Sequence, residues 1–348
     1  MDRQDGPRQG GLRLVVLGAG LIGGYVGGRL AHGGANVAFV GRPAQMAVLA
    51  EGGMTLTDLE GFRAEIPAGA LSLASDPAGL AAADVVLLAV KSQATESAAA
   101  DIAAHARPDA AVVSLQNGVS NPERLRALLP GRTVVAGMVP YNVASPGPGH
   151  FHQGTSGAIA LEDGPTAAAL APLFKAAGLA LDRHGDMRAI LWAKLLINLN
   201  NAINALSGKP LAAQLAIRDY RRCFALCQAE GLRLLKAAGI APAQLGALPA
   251  QRMPFVLSLP DWLFKRISKR GGTPRIDRHA RSSMAEDLAA GRKTEVDHIN
   301  GEILALARKL GRAAPVNARV IELIHAAEAG APPWPADRLW RELKALRT

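Results

Sequence analysis

The stretch Leu12-Arg-Leu-Val-Val-Leu17, followed by Gly18-Ala-Gly20-Leu-Ile-Gly23, decides the fold of this chain. A short apolar strand leads into a G-x-G-x-x-G turn, and a helical pattern follows. The first glycine makes a tight turn, the second lets a pyrophosphate approach the backbone, and the third allows close helix–strand packing. Free N–H groups at the start of the helix favour an anion. We therefore predict a dinucleotide site, with the alternative of a glycine-rich turn that only packs. The predicted contacts are Gly18, Gly20, Leu21, Ile22 and Gly23.

The residues after the second apolar run, Asn36-Val-Ala-Phe-Val40, indicate which dinucleotide binds. Sites for NAD usually carry an acidic residue about 20 residues past the glycines, where it binds the ribose 2′-hydroxyl. This chain has Gly41-Arg42-Pro43 there and no acid nearby. The planar guanidinium fork of arginine suits a 2′-phosphate. We predict that Arg42 binds NADPH; the alternative is an arginine that only faces solvent.

Apolar runs and helical patterns alternate in the first half of the chain, which predicts a doubly wound parallel sheet of the Rossmann type over residues 1–185. The chain has 348 residues, more than one hydrophobic core usually serves. From Asp186 onward only helical patterns follow, so we expect an all-helical substrate and catalytic domain over 186–348, with the cofactor cleft between the two. Strands are predicted at 12–17, 36–40, 85–90, 111–116 and 133–139, separated by helices near 21–32, 43–52, 93–106 and 121–129. Later helices are predicted near 187–206, 211–238, 277–290, 294–310 and 315–328, with broken helix over 241–276.

Composition argues against several other classes of protein. No apolar stretch is long enough to predict a membrane span, and Met1 to Gly11 lacks the apolar region of a signal peptide, so we expect a cytoplasmic protein. Cys223 and Cys227 are four residues apart, but no further Cys or clustered His completes a metal site. We predict no metal and two buried, reduced thiols.

The net charge of +10 is concentrated in the second half of the chain, where 26 Lys and Arg stand against 14 Asp and Glu. Between residues 265 and 281, seven basic residues face one acid, Asp277. No interleaved aromatic pattern or nucleic-acid motif accompanies the run, so we predict no nucleic-acid partner. The alternatives are a positive field that attracts an anionic substrate and cofactor, or a solvated surface.

Polar residues follow two of the predicted strands. Lys91 comes after the run at 85–90, and Asn117 after the run at 111–116. In open α/β sheets, ligands bind outside the carboxyl ends of the strands. We predict that both residues contact the cofactor or the substrate; the alternatives are strand-end solvation and an Asn-Gly turn.

A third polar group interrupts an apolar helix. Lys194, Asn198 and Asn201 recur at spacings of four and three, so they share one helix face. A buried lysine shifts its pKa downward readily, which suits proton transfer. The alternative is a network that only packs helices. A further polar cluster spans Ser282 to Asp287 and Lys293 to Gly301, in which Thr294 or Asp297 could cap a helix and His298 is expected at the surface or in the core.

Together these motifs resemble the ketopantoate reductases (2-dehydropantoate 2-reductases), over most of the chain. The dinucleotide turn is generic, whereas the last three motifs in this order are specific. The motifs are Gly18-Ala-Gly20-Leu-Ile-Gly23, Ala89-Val-Lys91, Gln116-Asn-Gly118, Trp192-Ala-Lys194-Leu-Leu-Ile-Asn198, Ser282-Ser-Met284 and Thr294-Glu-Val-Asp-His-Ile-Asn-Gly301.

The resemblance implies reduction of 2-dehydropantoate to (R)-pantoate with NADPH, on the way to pantothenate and coenzyme A, with a homodimer as a candidate assembly. By the family pattern, Lys194 would be the general acid, and Glu295 would orient the substrate and the lysine and contact the cofactor. The substrate would be held by Asn198, Asn201 and Ser283, Ser283 near its carboxylate. Asn117 would bridge substrate and cofactor, and Lys91 and Arg42 would hold the cofactor.

One departure from the family pattern leaves the substrate open. Ala202 stands four residues past Asn198, where many members carry a second substrate-binding asparagine. Another 2-oxo acid is therefore an alternative substrate. Two other classes remain as rivals: a β-hydroxyacid or opine type of NADP-dependent dehydrogenase, and a non-catalytic NADP-binding sensor. The presence of both Lys194 and Glu295 argues against the sensor.

Overall fold

The computed structural model describes residues 11–270 and 280–346, and all of its strands precede residue 185. The strands are β1 (Arg13–Leu17), β2 (Asn36–Val40), β3 (Met54–Asp58), β4 (Arg63–Ile66), β5 (Ser72–Ala74), β6 (Val85–Leu88), β7 (Ala111–Ser114), β8 (Val134–Met138), β9 (Val143–Gly147), β10 (His150–Gln153), β11 (Ile159–Glu162) and β12 (Leu181–His184). The helices among them are α1 (Leu21–His32), α2 (Pro43–Gly52), α3 (Thr95–His105), α4 (Asn121–Leu128) and α5 (Pro165–Ala176). After β12 come α6 (Met187–Asn198), α7 (Asn200–Ser207), α8 (Leu211–Ala216), α9 (Arg218–Ala237), α10 (Met253–Ser258), α11 (Asp261–Arg270), α12 (Ser283–Ala289), α13 (Val296–Lys309), α14 (Pro315–Glu328) and α15 (Ala336–Lys344).

The main sheet has eight strands in the order β12-β11-β8-β7-β6-β1-β2-β5. From β5 to β8 all neighbours are parallel, and the strand order reverses between β1 and β6. This arrangement confirms the predicted doubly wound fold, with one correction: β11 runs antiparallel to β8, so the sheet is mixed. Ligands bind such sheets at the point of reversal, and the glycine-rich turn after β1 lies there.

A second sheet, of four strands in the order β4-β3-β10-β9, covers α1 and was not predicted. Its β3 and β10 pair in parallel, although they are far apart in the chain. Two glycines of α1 make this packing close: a Cβ on Gly24 would lie 2.5 Å from the Phe151 ring, and one on Gly28 would lie 2.9 Å from Leu56. A larger residue at either position would force the Phe151 or Leu56 side chain to shift.

The later part of the described chain is helical, as predicted, but several helix bounds differ. The helix predicted over 187–206 is interrupted at Leu199, and the one over 211–238 at Ile217. The helix predicted over 277–290 begins only at Ser283, because the Ser282 hydroxyl accepts the Ala285 N–H and caps it. Its first residues, 277–279, and residues 271–276 lie outside the described residues. Helices α5 and α15 were missed.

Separate hydrophobic cores stabilise the two parts. One face of the main sheet packs on α1, α5 and the small sheet, the other face packs on α3 and α4, and the later helices form a core of their own. Helix α6 connects them, since its Met187, Ile190 and Leu191 pack on β8 and β11. Within the described residues, none of the helices is both long and apolar enough to cross a bilayer.

Candidate active site

The three glycines of the first turn have the different surroundings that a pyrophosphate cradle requires. Gly18 has a φ of +99°, and a Cβ there would lie 2.7 Å from the Val90 nitrogen. A Cβ on Gly23 would lie 2.2 Å from the Gly18 carbonyl oxygen. At Gly20, by contrast, a Cβ would meet no atom within 4 Å, so this side of the turn is open. The residues therefore fit a dinucleotide whose phosphates approach at Gly20 and the N-terminus of α1.

Arg42 lies directly before α2, at the end of the strand next to β1. Its side chain is exposed, and within residues 11–270 and 280–346 it makes no hydrogen bond or ion pair. The guanidinium is therefore available to an anion at this end of the sheet.

Lys91 is bound to the helical part of the molecule. Its Nζ lies 2.7 Å from Asp287 Oδ2 and 3.2 Å from the Lys293 carbonyl oxygen. Asp287 is buried and also accepts a hydrogen bond from Arg292 at 3.0 Å. Asp287 belongs to the polar cluster predicted over Ser282 to Asp287, but its contact with Lys91 was not predicted.

Lys194 is half-buried on α6 and faces the loop after β8. Its Nζ donates to the Pro140 carbonyl oxygen at 2.8 Å. Burial lowers the pKa of the ammonium from its usual value to about 8. A lysine with this pKa gives up its proton more readily than an exposed lysine, which is the property expected of a general acid near neutral pH.

Asn198 lies one turn beyond Lys194 and meets Asn117. The Asn198 Nδ2 donates to Asn117 Oδ1 at 3.3 Å. The backbone of Asn117 is held in turn, because its carbonyl oxygen accepts from Ser92 Oγ at 3.1 Å and from Asn121 Nδ2 at 2.6 Å. The structure thus brings these two predicted residues into direct contact, one after β7 and the other on α6.

Glu295 is buried directly before α13, and its Oε1 accepts the Ser92 N–H at 2.9 Å. Because Ser92 also binds the Asn117 carbonyl, the network runs from Glu295 through Ser92 and Asn117 to Asn198, one turn from Lys194. Glu295 and Lys194 themselves share no hydrogen bond or ion pair in the described structure.

Ser283 and Asn201 are both half-buried, and neither side chain has a hydrogen-bond partner among the described residues. The neighbour Ser282 is fully buried and bound instead: its hydroxyl donates to the Asn201 carbonyl at 3.0 Å, and its N–H donates to Asn204 Oδ1 at 2.9 Å. Ser282 therefore fixes the start of α12 on α7, whereas the Ser283 hydroxyl makes no hydrogen bond within the described residues.

The alternative of a helix-packing network holds for two other asparagines. Asn200 pairs with Gln214 through two hydrogen bonds of 3.2 Å, and Asn204 donates to the Lys209 carbonyl. Ala202 is fully buried in the helical core.

The two cysteines are buried and unpaired, as predicted, and burial raises the pKa of both thiols. In the part of the chain that the structure describes, no three His, Cys, Asp or Glu side chains are placed to hold a metal ion.

Comparison with known proteins agrees with this geometry. The family model described as "Ketopantoate reductase PanE/ApbA" matches residues 14–166, and its C-terminal counterpart matches residues 186–328. The chain belongs to the ketopantoate reductase family. It is accordingly an oxidoreductase of the 2-dehydropantoate 2-reductase type, and the cofactor of the family is a nicotinamide dinucleotide.

Relatives and solved structures cover nearly the whole chain. The 2-dehydropantoate 2-reductase of Halobacterium salinarum is 27% identical over 91% of this chain and 99% of its own. That of Caulobacter vibrioides is 28% identical over 90% of this chain and 98% of its own. A ketopantoate reductase structure from Ralstonia eutropha gives a TM-score of 0.77 at 30% identity, over 91% of this chain and 99% of its own. A D-mandelate dehydrogenase bound to NADH and anilino(oxo)acetate shares the fold, with a TM-score of 0.72 at 21% identity, over 91% of this chain and 99% of its own.

Proposed function

We propose that this protein reduces 2-dehydropantoate to (R)-pantoate with NADPH, and that Lys194 is the general acid. Residues 1–185 would bind the cofactor, and residues 186–348 would supply the acid and most substrate contacts. The observation that carries the proposal is the placement of Lys194 on α6, where its Nζ donates to the Pro140 carbonyl oxygen and lies one turn from the Asn198–Asn117 pair. The lowered pKa of this lysine supports it. The family assignment supplies the substrate class.

NADPH, when bound, supplies a hydride to the C2 carbonyl carbon of the substrate. The carbonyl oxygen then gains negative charge and needs a proton, which the Lys194 ammonium would donate. In the free protein this ammonium donates to the Pro140 carbonyl, so substrate would take over part of its hydrogen bonding. Ser283 and Asn201, whose side chains have no partner within the described residues, would bind the substrate carboxylate and hydroxyl.

The test is an NADPH-oxidation assay of the purified chain with 2-dehydropantoate and a panel of other 2-oxo acids. We expect 2-dehydropantoate to have the highest kcat/KM and Lys194→Ala to lower kcat by about 100- to 10,000-fold, the usual contribution of general acid catalysis. Lys175→Ala removes an exposed lysine from α5 and serves as the matched control. A Lys194→Ala variant with near-normal turnover would return Lys194 to a packing role.

Selection of NADPH over NADH would depend on Arg42, which is exposed and unpaired among the described residues. A hydrogen bond to a charged group contributes about 1.5–3 kcal/mol, so Arg42→Ala should reduce the preference for NADPH at least tenfold. Equal use of both cofactors by the unchanged protein would contradict this assignment.

A different 2-oxo acid is the second candidate substrate, because the buried Ala202 cannot supply the asparagine that many family members place there. The same panel decides between the two. If an oxo acid without the hydroxymethyl group of 2-dehydropantoate is reduced with a higher kcat/KM, the second candidate is correct.

We propose a homodimer as the assembly. A ketopantoate reductase from Staphylococcus aureus is described as dimeric. In this chain, Phe255 and Trp262 are 71% and 68% exposed, as expected if a second copy covers them. Light scattering after size-exclusion chromatography measures the mass directly, and Trp262→Ser should shift it toward the monomer.

A further inference from the structure

Helix α13 lies across the carboxyl ends of two neighbouring strands, β6 and β7. Glu295, just before the helix, accepts the Ser92 N–H in the loop after β6. Glu302 lies seven residues later, which is two turns along nearly the same helix face. It reaches the loop after β7. The segment that begins at Glu295 and continues as α13 thus places a carboxylate on each of the two loops that follow β6 and β7.

One oxygen of Glu302 binds the loop after β7 at three points. The Oε1 atom accepts the Ser120 N–H at 2.9 Å, the Ser120 hydroxyl at 2.5 Å and the Val119 N–H at 3.3 Å. Ser120 immediately precedes α4, and its own side chain does not cap that helix. The Glu302 carboxylate instead binds the N–H groups immediately before the helix, near the positive end of the helix dipole, where a negative charge is favoured.

This loop is the one that carries Asn117. Gly118, between Asn117 and the residues bound by Glu302, has a φ of +96°, and a Cβ there would lie 3.1 Å from the His298 carbonyl oxygen of α13. Only glycine suits a positive φ with so close a neighbour. The loop that carries Asn117 is therefore held from two sides. On one side the Asn117 carbonyl oxygen accepts from Asn121 Nδ2, and on the other side α13 packs against Gly118. These contacts position the Asn117 side chain, which meets Asn198.

We propose that Glu302 is a positioning residue for the reductase reaction: by holding Val119 and Ser120 it keeps Asn117 directed at Asn198 and at the cofactor. Glu302 acts through Asn117 and does not touch the substrate. The effect on catalysis rests on the proposed function, whereas the hydrogen bonds between Glu302 and the loop after β7 are present without any ligand.

The first experiment compares Glu302→Ala with Glu302→Gln in the full chain. We expect Glu302→Ala to lower kcat/KM for the oxo acid roughly 10- to 100-fold, because small displacements of positioning groups have effects of this size. Glu302→Gln keeps an acceptor oxygen and should recover most of the activity. The matched control is Glu322→Ala, which removes a 63% exposed carboxylate from α14. If Glu302→Ala has the activity of the control, the inference is wrong.

The second experiment tests whether Glu302 acts through Asn117. Activity and the NADPH dissociation constant, measured by cofactor fluorescence, are compared for Glu302→Ala, Asn117→Ala and the double variant. Once one of the two residues has been replaced, we expect replacement of the other to change the activity or the NADPH dissociation constant by less than about twofold, because the effects of coupled residues are not additive. Full additivity would overturn the inference. If Glu302→Ala fails to fold, Ser120→Ala takes its place in the same cycle.

The two proposals can fail separately. If the unchanged protein reduces none of the oxo acids but binds NADPH, the proposed function is wrong, and the fluorescence cycle still tests Glu302. If the protein is an active reductase and the cycle is additive, only the inference about Glu302 is wrong.

Discussion

The lowered pKa of Lys194 predicts a specific dependence of the reaction on pH. An acid must be protonated to act, so kcat/KM for the oxo acid should fall as pH rises through about 8, the pKa set by burial of this lysine. With that pKa the protonated fraction is about 0.9 at pH 7 and about 0.1 at pH 9, a roughly tenfold fall in rate; an exposed lysine, with a pKa near 10.4, would lose only a few per cent.

The assay is NADPH oxidation at saturating cofactor between pH 6 and pH 10, because kcat/KM reports groups in the enzyme before the substrate binds. Lys175→Ala should show the same profile as the unchanged protein. Lys194→Arg keeps the positive charge but does not release a proton in this range, so it should be slow and independent of pH. A wild-type kcat/KM that stays constant to pH 9.5 would refute the reasoning.

Three further predictions test the turn, the stability and the carboxylate of the site. Gly20→Ala should leave the melting temperature unchanged and weaken NADPH binding. Gly23→Ala should instead cost about 1–3 kcal/mol of stability through overpacking, since its Cβ would lie 2.2 Å from a carbonyl oxygen. Thermal melts and cofactor titration distinguish the two variants, and equal melting temperatures would contradict the prediction. The pKa of Lys194 in the folded protein lies below its value in the unfolded chain, so folding stability should rise with pH between about 8 and 10.4. The melting temperature of the unchanged protein, measured relative to that of Lys194→Met, should therefore increase over this pH range. A difference in melting temperature that stays constant with pH would contradict this prediction. Glu295→Ala should raise KM for the oxo acid and lower kcat, with little change in NADPH affinity. Steady-state kinetics measure the first two quantities, and fluorescence titration measures the third. If only NADPH binding is lost, Glu295 contacts the cofactor and not the substrate.

The five central strands of the main sheet, β1, β2, β6, β7 and β8, were predictable because strands buried on both faces appear as continuous apolar runs. Its outer strands β5, β11 and β12 were not predicted. The small sheet was not, because its strands alternate: in Met54-Thr-Leu-Thr-Asp58, Met54 and Leu56 are buried and the threonines are half-buried. An alternating run of five residues predicts a strand but not its partner. The pairing of β3 with β10 depends on packing around α1, which no local pattern encodes.

The site divides in the same way. Helical spacing predicted that Lys194 and Asn198 share a face, and at the G-x-G-x-x-G turn the space beside Gly20 is open, as a pyrophosphate would require. The partner of Asp287 and the role of Glu302 were not predicted, because the residues that they bind lie far away in the sequence. The distinction between Ser282 and Ser283 also required the structure, because neighbouring residues of a helix start point in different directions.

The parallel pairing of β3 with β10 has a consequence for synthesis on the ribosome. Strand β3 can pair with β4 at once, but its other edge has no partner until β10 has been made, roughly 90 residues later. At about 5–20 residues per second this takes several seconds to nearly twenty. Meanwhile β3 exposes unpaired N–H and C=O groups next to Met54 and Leu56, as an unprotected edge strand does. A nascent chain that pauses before His150 would therefore present an edge of β3 on which another chain can pair.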